Sequence, residues 1–245
     1  MKKFLVALLL ICSCSMHKNE PDGAYESAGA SDSSFSLNDI KIFKNAFWMS
    51  ATFDENGLYS CSGGVYKLMD NKCLRTYYFN FPDTGVIAKT DTISYHAEND
   101  AFWIEEVNND TSVDLVRKEY IKMKTTKPLQ NSLLEGVWKL TGRQIGNVKN
   151  FDDMEDGANI AEIKIYSYPY VAWAQYNFIR KTLIGAGGGT YRFNGDTLTE
   201  RHQYITYPVP LGQELKNKII KLSSTKVLQV GNAFREDWEK VKQTD

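Results

Sequence analysis

The chain has 245 residues, of which 42% are hydrophobic and 24% charged, and its net charge is −1. Ordinary apolar and charged fractions exclude wholesale disorder and a multi-span helical membrane protein, and the balanced charge leaves no basic footprint for a nucleic acid. With 14 Tyr, 12 Phe and 5 Trp the aromatic content is high, which leans toward β-strands.

Residues 1–13 read as a leader. Lys2 and Lys3 precede an unbroken apolar run, Phe4–Ile11, which is far short of the about 20 residues a spanning helix needs. The following Ile11-Cys12-Ser13-Cys14 resembles a bacterial lipobox, with an aliphatic residue at −3 and a small one at −1 before the cysteine. Cleavage there makes Cys14 the acylated N-terminus and the sole membrane anchor, and places the protein at the bacterial outer membrane, on its periplasmic or outer face. An ordinary secretory signal with incidental cysteines is the alternative. Residues 14–20 are polar and suit a tether.

Beyond the tether the chain matches itself. Trp48–Phe79 aligns without gaps on Trp173–Tyr204, which sets Trp48 on Trp173, Phe53 on Phe178 and Gly63-Gly64 on Gly188-Gly189. Upstream, Asp39–Phe43 mirrors Glu162–Tyr166 after a two-residue shift, and Asp22-Gly23-Ala24-Tyr25 mirrors Glu135-Gly136-Val137-Trp138. The chain is therefore a tandem duplication: module 1 over 21–124, a linker over 125–133 and module 2 over 134–245. Module 1 carries a net charge of −6, whereas the chain from Thr125 to the end carries +3, which favours the two modules packing together.

Each module offers many short strands separated by turn signals, among them Asp54-Glu55-Asn56-Gly57, Asp70-Asn71 and Asn194-Gly195. Helical signals are sparse, with one possible turn in Pro210–Lys221. Tyr168–Phe178 is aromatic enough for a buried strand. A turn near Met69–Lys72 puts Cys73 opposite Tyr66 or Leu68, far from Cys61 at about 3.3 Å per residue. Cys61 and Cys73 are thus expected to be free, buried thiols.

Module 2 opens Leu134-Glu135-Gly136-Val137-Trp138, continues Gly187-Gly188-Gly189-Thr190-Tyr191 and Gly195-Asp196-Thr197-Leu198-Thr199-Glu200, and closes Trp238-Glu239-Lys240-Val241. This pattern resembles the lipocalin-like domains of unknown function in secreted lipoproteins of Bacteroides-type bacteria. Module 1 departs from it, with Tyr25 for the Trp and Arg75 for Glu200. The resemblance implies an all-β chain of two tandem antiparallel, up-and-down barrels of eight or more strands each, and brings no catalytic residues with it.

If Asn194-Gly195 form the turn, Tyr191, Phe193, Leu198, Glu200, His202 and Tyr204 share one face, and the other face is wholly polar. Period two then turns the first face inward. With Trp173, the residues Tyr191, Phe193, Glu200, His202 and Tyr204 are the candidate ligand contacts of module 2. In module 1 the corresponding set is Trp48, Tyr66, Arg75 and Tyr77, where an inward guanidinium could hold a carboxylate. The plainer alternatives are that Glu200 meets a basic group and fixes the barrel closure, and that Arg75 neutralises a barrel-end acid.

Glu200 and His202 make no triad and no nucleophile is marked, so no catalytic residue or enzyme activity is expected. His17, His96 and His202 lie far apart, His96 in a loop-like stretch, so no metal site or other cofactor is expected either. The glycine run lacks the Lys-Ser/Thr of a phosphate loop and suits a bulge or close strand approach. The favoured function is binding of a small apolar or amphiphilic ligand in one or both barrels, with the membrane as the other partner. A structural or interaction lipoprotein with side-chain-filled barrels is the alternative.

Overall fold

The computed structural model describes residues 21–27, 37–98, 101–107, 115–122, 133–146, 159–207 and 210–242. The leader, Cys14, the tether and the linker from 125 to 132 lie outside the described residues.

Barrel 1 comprises β1 (Gly23–Ser27), β2 (Asn38–Lys44), β3 (Phe47–Asp54), β4 (Gly57–Met69), β5 (Lys72–Phe81), β6 (Thr90–Glu98), β7 (Ala101–Val107) and β8 (Leu115–Lys122). Barrel 2 repeats the series with β9 (Gly136–Ile145), β10 (Ile160–Ser167), β11 (Tyr170–Asn177), β12 (Thr182–Asn194), β13 (Thr197–Ile205), β14 (Glu214–Lys221), β15 (Lys226–Val230) and β16 (Phe234–Lys240). Every neighbouring pair is antiparallel and each barrel closes by joining its first strand to its last. Barrel 1 carries a 3₁₀ turn at Thr84–Val86, between β5 and β6. Pro210–Lys221 holds no helical turn, because its apolar residues feed β14. His96 sits inside β6 opposite Trp103 rather than in a loop.

Turn chemistry sets the register. Asn45 and Ala46 both have positive φ and join β2 to β3, and Asp70-Asn71 joins β4 to β5. In β12–β13 the turn residues are Gly195-Asp196, not Asn194-Gly195, so Tyr191 faces Glu200 and Gly189 faces His202. Gly195 takes the left-handed conformation, φ 64°, which moves the turn one position along without exchanging the faces. Closure uses the same device twice. Gly136, lacking a side chain, lets Lys240 pass over the Trp138 ring at 5.4 Å, and Gly23 lets Lys122 lie over Tyr25 at 6.0 Å.

The ungapped alignment of the modules needs one correction. The β3–β4 turn is Glu55-Asn56, whereas the β11–β12 turn spans 178–181, two residues longer. Gly64 therefore still matches Gly189, but Trp48 matches Val171, Ser50 matches Trp173 and Phe53 matches Tyr176.

The barrels are docked. Ile40, Ile42, Met49, Ala51 and Phe53 of barrel 1 form one apolar core with Ile163, Ile165, Ala172, Ala174 and Tyr176 of barrel 2. Phe53 packs on Tyr204 at 4.8 Å between ring centroids, and Tyr176 packs on Phe79 at 5.9 Å. Phe53 corresponds to Tyr176 and Phe79 to Tyr204, so these two contacts are reciprocal, as across a two-fold axis. Cys61 lies in this interface while Cys73 points into barrel 1 opposite Leu68, so both are free and on different faces. Burial pushes the Cys61 thiol up to about 12 and the Cys73 thiol to about 11.

Candidate functional site

Barrel 2 is divided in two along its axis. The closed end is packed with Trp138, Tyr166, Val171, Tyr191, Leu198, Ile219, Val227 and Trp238. Among the described residues the other end is open, with a cavity of about 1080 Å³ among Trp173, Tyr207, Glu200, His202, Phe234 and their neighbours.

Glycine makes the space. The inward positions of β12 above Tyr191 are Gly189, Gly187 and Gly185, paired with inward His202, Trp173 and Gln175. Trp173 lies directly over Gly187, where a Cβ would come within 2.8 Å of the indole, and Tyr207 lies over Gly185, where it would come within 2.5 Å of the hydroxyl. The two rings sit 5.7 Å apart at 29° and pave one wall.

The cavity's inner zone is polar. Arg143 donates to Glu236 and to Glu162, each at 2.7 Å, and the second Glu236 oxygen accepts the Trp238 indole N–H. Lys164 Nζ reaches Glu200 at 3.5 Å and Gln229 at 3.4 Å, and lies 4.8 Å from the Trp238 ring. Tyr166 donates to Glu200 at 2.9 Å. Burial alone would raise the Glu200 carboxyl, but Lys164, His202 and the Tyr166 hydrogen bond outweigh it and hold it below its usual range. Burial wins at Glu162, which is raised despite Arg143. Burial also lowers His202, and Lys164 adds to this while Glu200 opposes it. His202 Nε2 is buried without a hydrogen-bond partner.

Of the six sequence candidates in module 2, Trp173, Glu200 and His202 line the cavity. Tyr191 and Phe193 belong to the packed zone, with the Tyr191 hydroxyl on Glu135 at 2.9 Å. Tyr204 points out into the interface with barrel 1. The cause is a bulge: Gly189 pairs with His202 and Gly188 with Tyr204, which leaves Gln203 unpaired and exchanges the faces beyond it.

In module 1 the four candidates do come together. Arg75 makes two hydrogen bonds to Asp91, at 3.1 and 2.7 Å, and Tyr77 donates to the same carboxylate at 2.7 Å. The guanidinium also lies 5.0 Å from the Trp48 ring. Arg75 thus has its acid inside the protein, on the neighbouring strand, rather than awaiting a ligand's. Tyr66 donates to the Pro21 carbonyl at 3.1 Å, and with Trp48 it packs among Phe43, Phe102 and Tyr120.

Arg143, Glu162, Lys164, Gln175, Tyr207, Gln229 and Glu236 were not found from the sequence. The readable signal was Glu162-Ile163-Lys164-Ile165-Tyr166, whose alternation looks like apolar residues facing in and charges facing water. The reverse holds, because the apolar face of β10 is buried by barrel 1 and its charges line the cavity. Among the described residues no group of three or more His, Cys, Asp or Glu side chains is placed to hold a metal ion.

Fold and site together define a class: a tandem pair of eight-strand up-and-down barrels, one of them with a cavity of aromatic walls and a polar inner zone among the described residues. No family model matches the chain, and no curated protein matches its sequence.

Proposed function

We propose that the protein is a lipid-anchored component of the bacterial outer membrane that binds a small, partly apolar ligand inside barrel 2. The cavity of about 1080 Å³ carries this reading, since ligand pockets run from about 300 to 1,000 Å³ and combine apolar walls with a few placed polar groups. Trp173, Tyr207 and Phe234 supply the walls, and His202, Glu200 and Lys164 the polar groups. The anchor is Cys14, and the Ile11–Cys14 motif supports it.

For barrel 1 a supporting role is favoured. Its Arg75 is neutralised by Asp91, and its aromatic residues fill the space between Tyr25 and Tyr120.

Native mass spectrometry of the full chain, purified from its own host, tests both parts. The native mass should exceed the denatured mass by one non-covalent adduct, and the denatured mass should carry the acyl chains of Cys14. Equal native and denatured masses would refute ligand binding, and an unacylated chain would refute the anchor.

A further inference from the structure

The cavity of barrel 2 is ordered in depth. Nearest its packed end stand Lys164, Glu200 and Gln229, then Arg143, Glu162 and His202, while Ile145, Tyr207 and Phe234 stand at the mouth. A hydrocarbon chain entering tail first would strip water from the polar zone and return no hydrogen bonds. Among the described residues the cations of the inner zone are already paired, and the remaining cation of the lining, Lys216, is an exposed residue of β14. Arg143 is engaged by two carboxylates and Lys164 by a third, so an entering carboxylate would meet three of its own sign. An entering ammonium would meet Arg143 and Lys164 as like charges, and the three carboxylates beside them are already engaged by these cations.

What the cavity offers is neutral. Gln175 Oε1 accepts from Tyr207 at 3.0 Å and Gln229 Oε1 from Lys164, so the NH₂ group is the end of each amide left to bond a ligand in the cavity both residues line. The Asn217 amide lines the same space. His202, 6% exposed, brings an imidazole nitrogen with no partner. Beside these donors and acceptors lies the flat wall of Trp173 and Tyr207.

Resting on the ligand-binding reading above, we infer that the molecule taken by barrel 2 is a neutral, hydroxyl-rich ring, that is, a saccharide, either free or as the headgroup of a glycolipid. Its hydroxyls pair with the Gln175, Asn217 and Gln229 amides beside the His202 imidazole, whose Nε2 is covered and without a partner. Its C–H face lies on Trp173 and Tyr207, where apolar contact and ring electrostatics act together. Satisfying buried polar groups also supplies selectivity, because an analogue lacking the hydroxyls would leave them unpaired.

The test uses the full chain in a sugar-free detergent against an array of neutral mono- to tetrasaccharides. Decanoate and the neutral dye Nile red serve as apolar probes, and phosphatidylcholine vesicles carrying a neutral glycolipid separate the two sources. Binding to array glycans supports the free sugar, and binding to the vesicles alone supports the glycolipid headgroup. Trp173→Ala should weaken that binding at least tenfold in a chain that still melts cooperatively, and Trp173→Phe should restore most of it. An array and vesicles without signal while decanoate or Nile red binds would overturn the saccharide assignment and leave ligand binding standing. No binding of any probe would overturn both.

Discussion

His202 is a histidine kept neutral by its surroundings. Burial is the main cause, Lys164 adds to it, and Glu200 opposes it, so in the folded chain the ring takes up a proton below its ordinary value near 6.5. Between those two pKa values the unfolded chain binds more protons than the folded one, so stability rises with pH there and is lost on acidification. Glu162 has the opposite sign, since its raised carboxyl takes up a proton earlier in the folded state. The urea midpoint should fall between pH 7.5 and pH 5.5, and His202→Gln should shrink that fall. An identical fall in the variant would show that the ring is already charged or exposed. Part of this site was legible in the sequence. Glu200 and His202 were placed inward because period two fixes the face even when the turn slips by one position. Arg75 was placed inward as well, but its partner Asp91 comes from the next strand, a pairing that local sequence does not encode.

Among the elements, the glycine-bearing hairpins β4–β5 and β12–β13 shape the interiors. Gly64 and Gly189 occupy matching places where the bulged strand presses closest. A Cβ on Gly189 would run into the Arg201 carbonyl, and one on Gly64 into the Thr76 carbonyl, both backbone groups that cannot swing aside. Gly189→Ala should therefore cost about 3 kcal/mol or more, the upper end for overpacking. Gly195→Ala, with open space around it and only left-handed strain, should cost about 1 kcal/mol. Equal losses in denaturant melts would contradict a close approach at Gly189. The sequence marked the Gly187–Gly189 run as a bulge or close approach, and that holds at Gly189. It did not mark the consequence two residues later, where the bulge turns Tyr204 and Phe79 out of the barrels and into the interface. Nor did it place the two extra residues of the β11–β12 turn, because the recurrence of tryptophan at Trp48 and Trp173 imitated an ungapped match.

At the scale of the whole molecule, duplication has produced two barrels joined through equivalent strands, each covering the apolar outer face of the other. The opposite module charges pointed toward docking, yet the contact is chiefly apolar and aromatic, with Lys44–Glu135 at its edge, 3.7 Å apart. One fold then carries two interiors. Where barrel 2 has Trp173 over Gly187, barrel 1 has the smaller pair Ser50 and Ser62. Lys41 donates to Ser50 at 3.1 Å and lies 4.8 Å from the Tyr120 ring. These matched positions give the most direct test of ligand binding in barrel 2 rather than barrel 1. Gly187→Leu and Ser62→Leu place the same bulk at the same point of each barrel, and native mass spectrometry of the two full chains from the host reads the retained adduct. Loss of the adduct in Gly187→Leu and its retention in Ser62→Leu, with both chains folded, is the predicted result. Retention in Gly187→Leu, or loss only in Ser62→Leu, would contradict it.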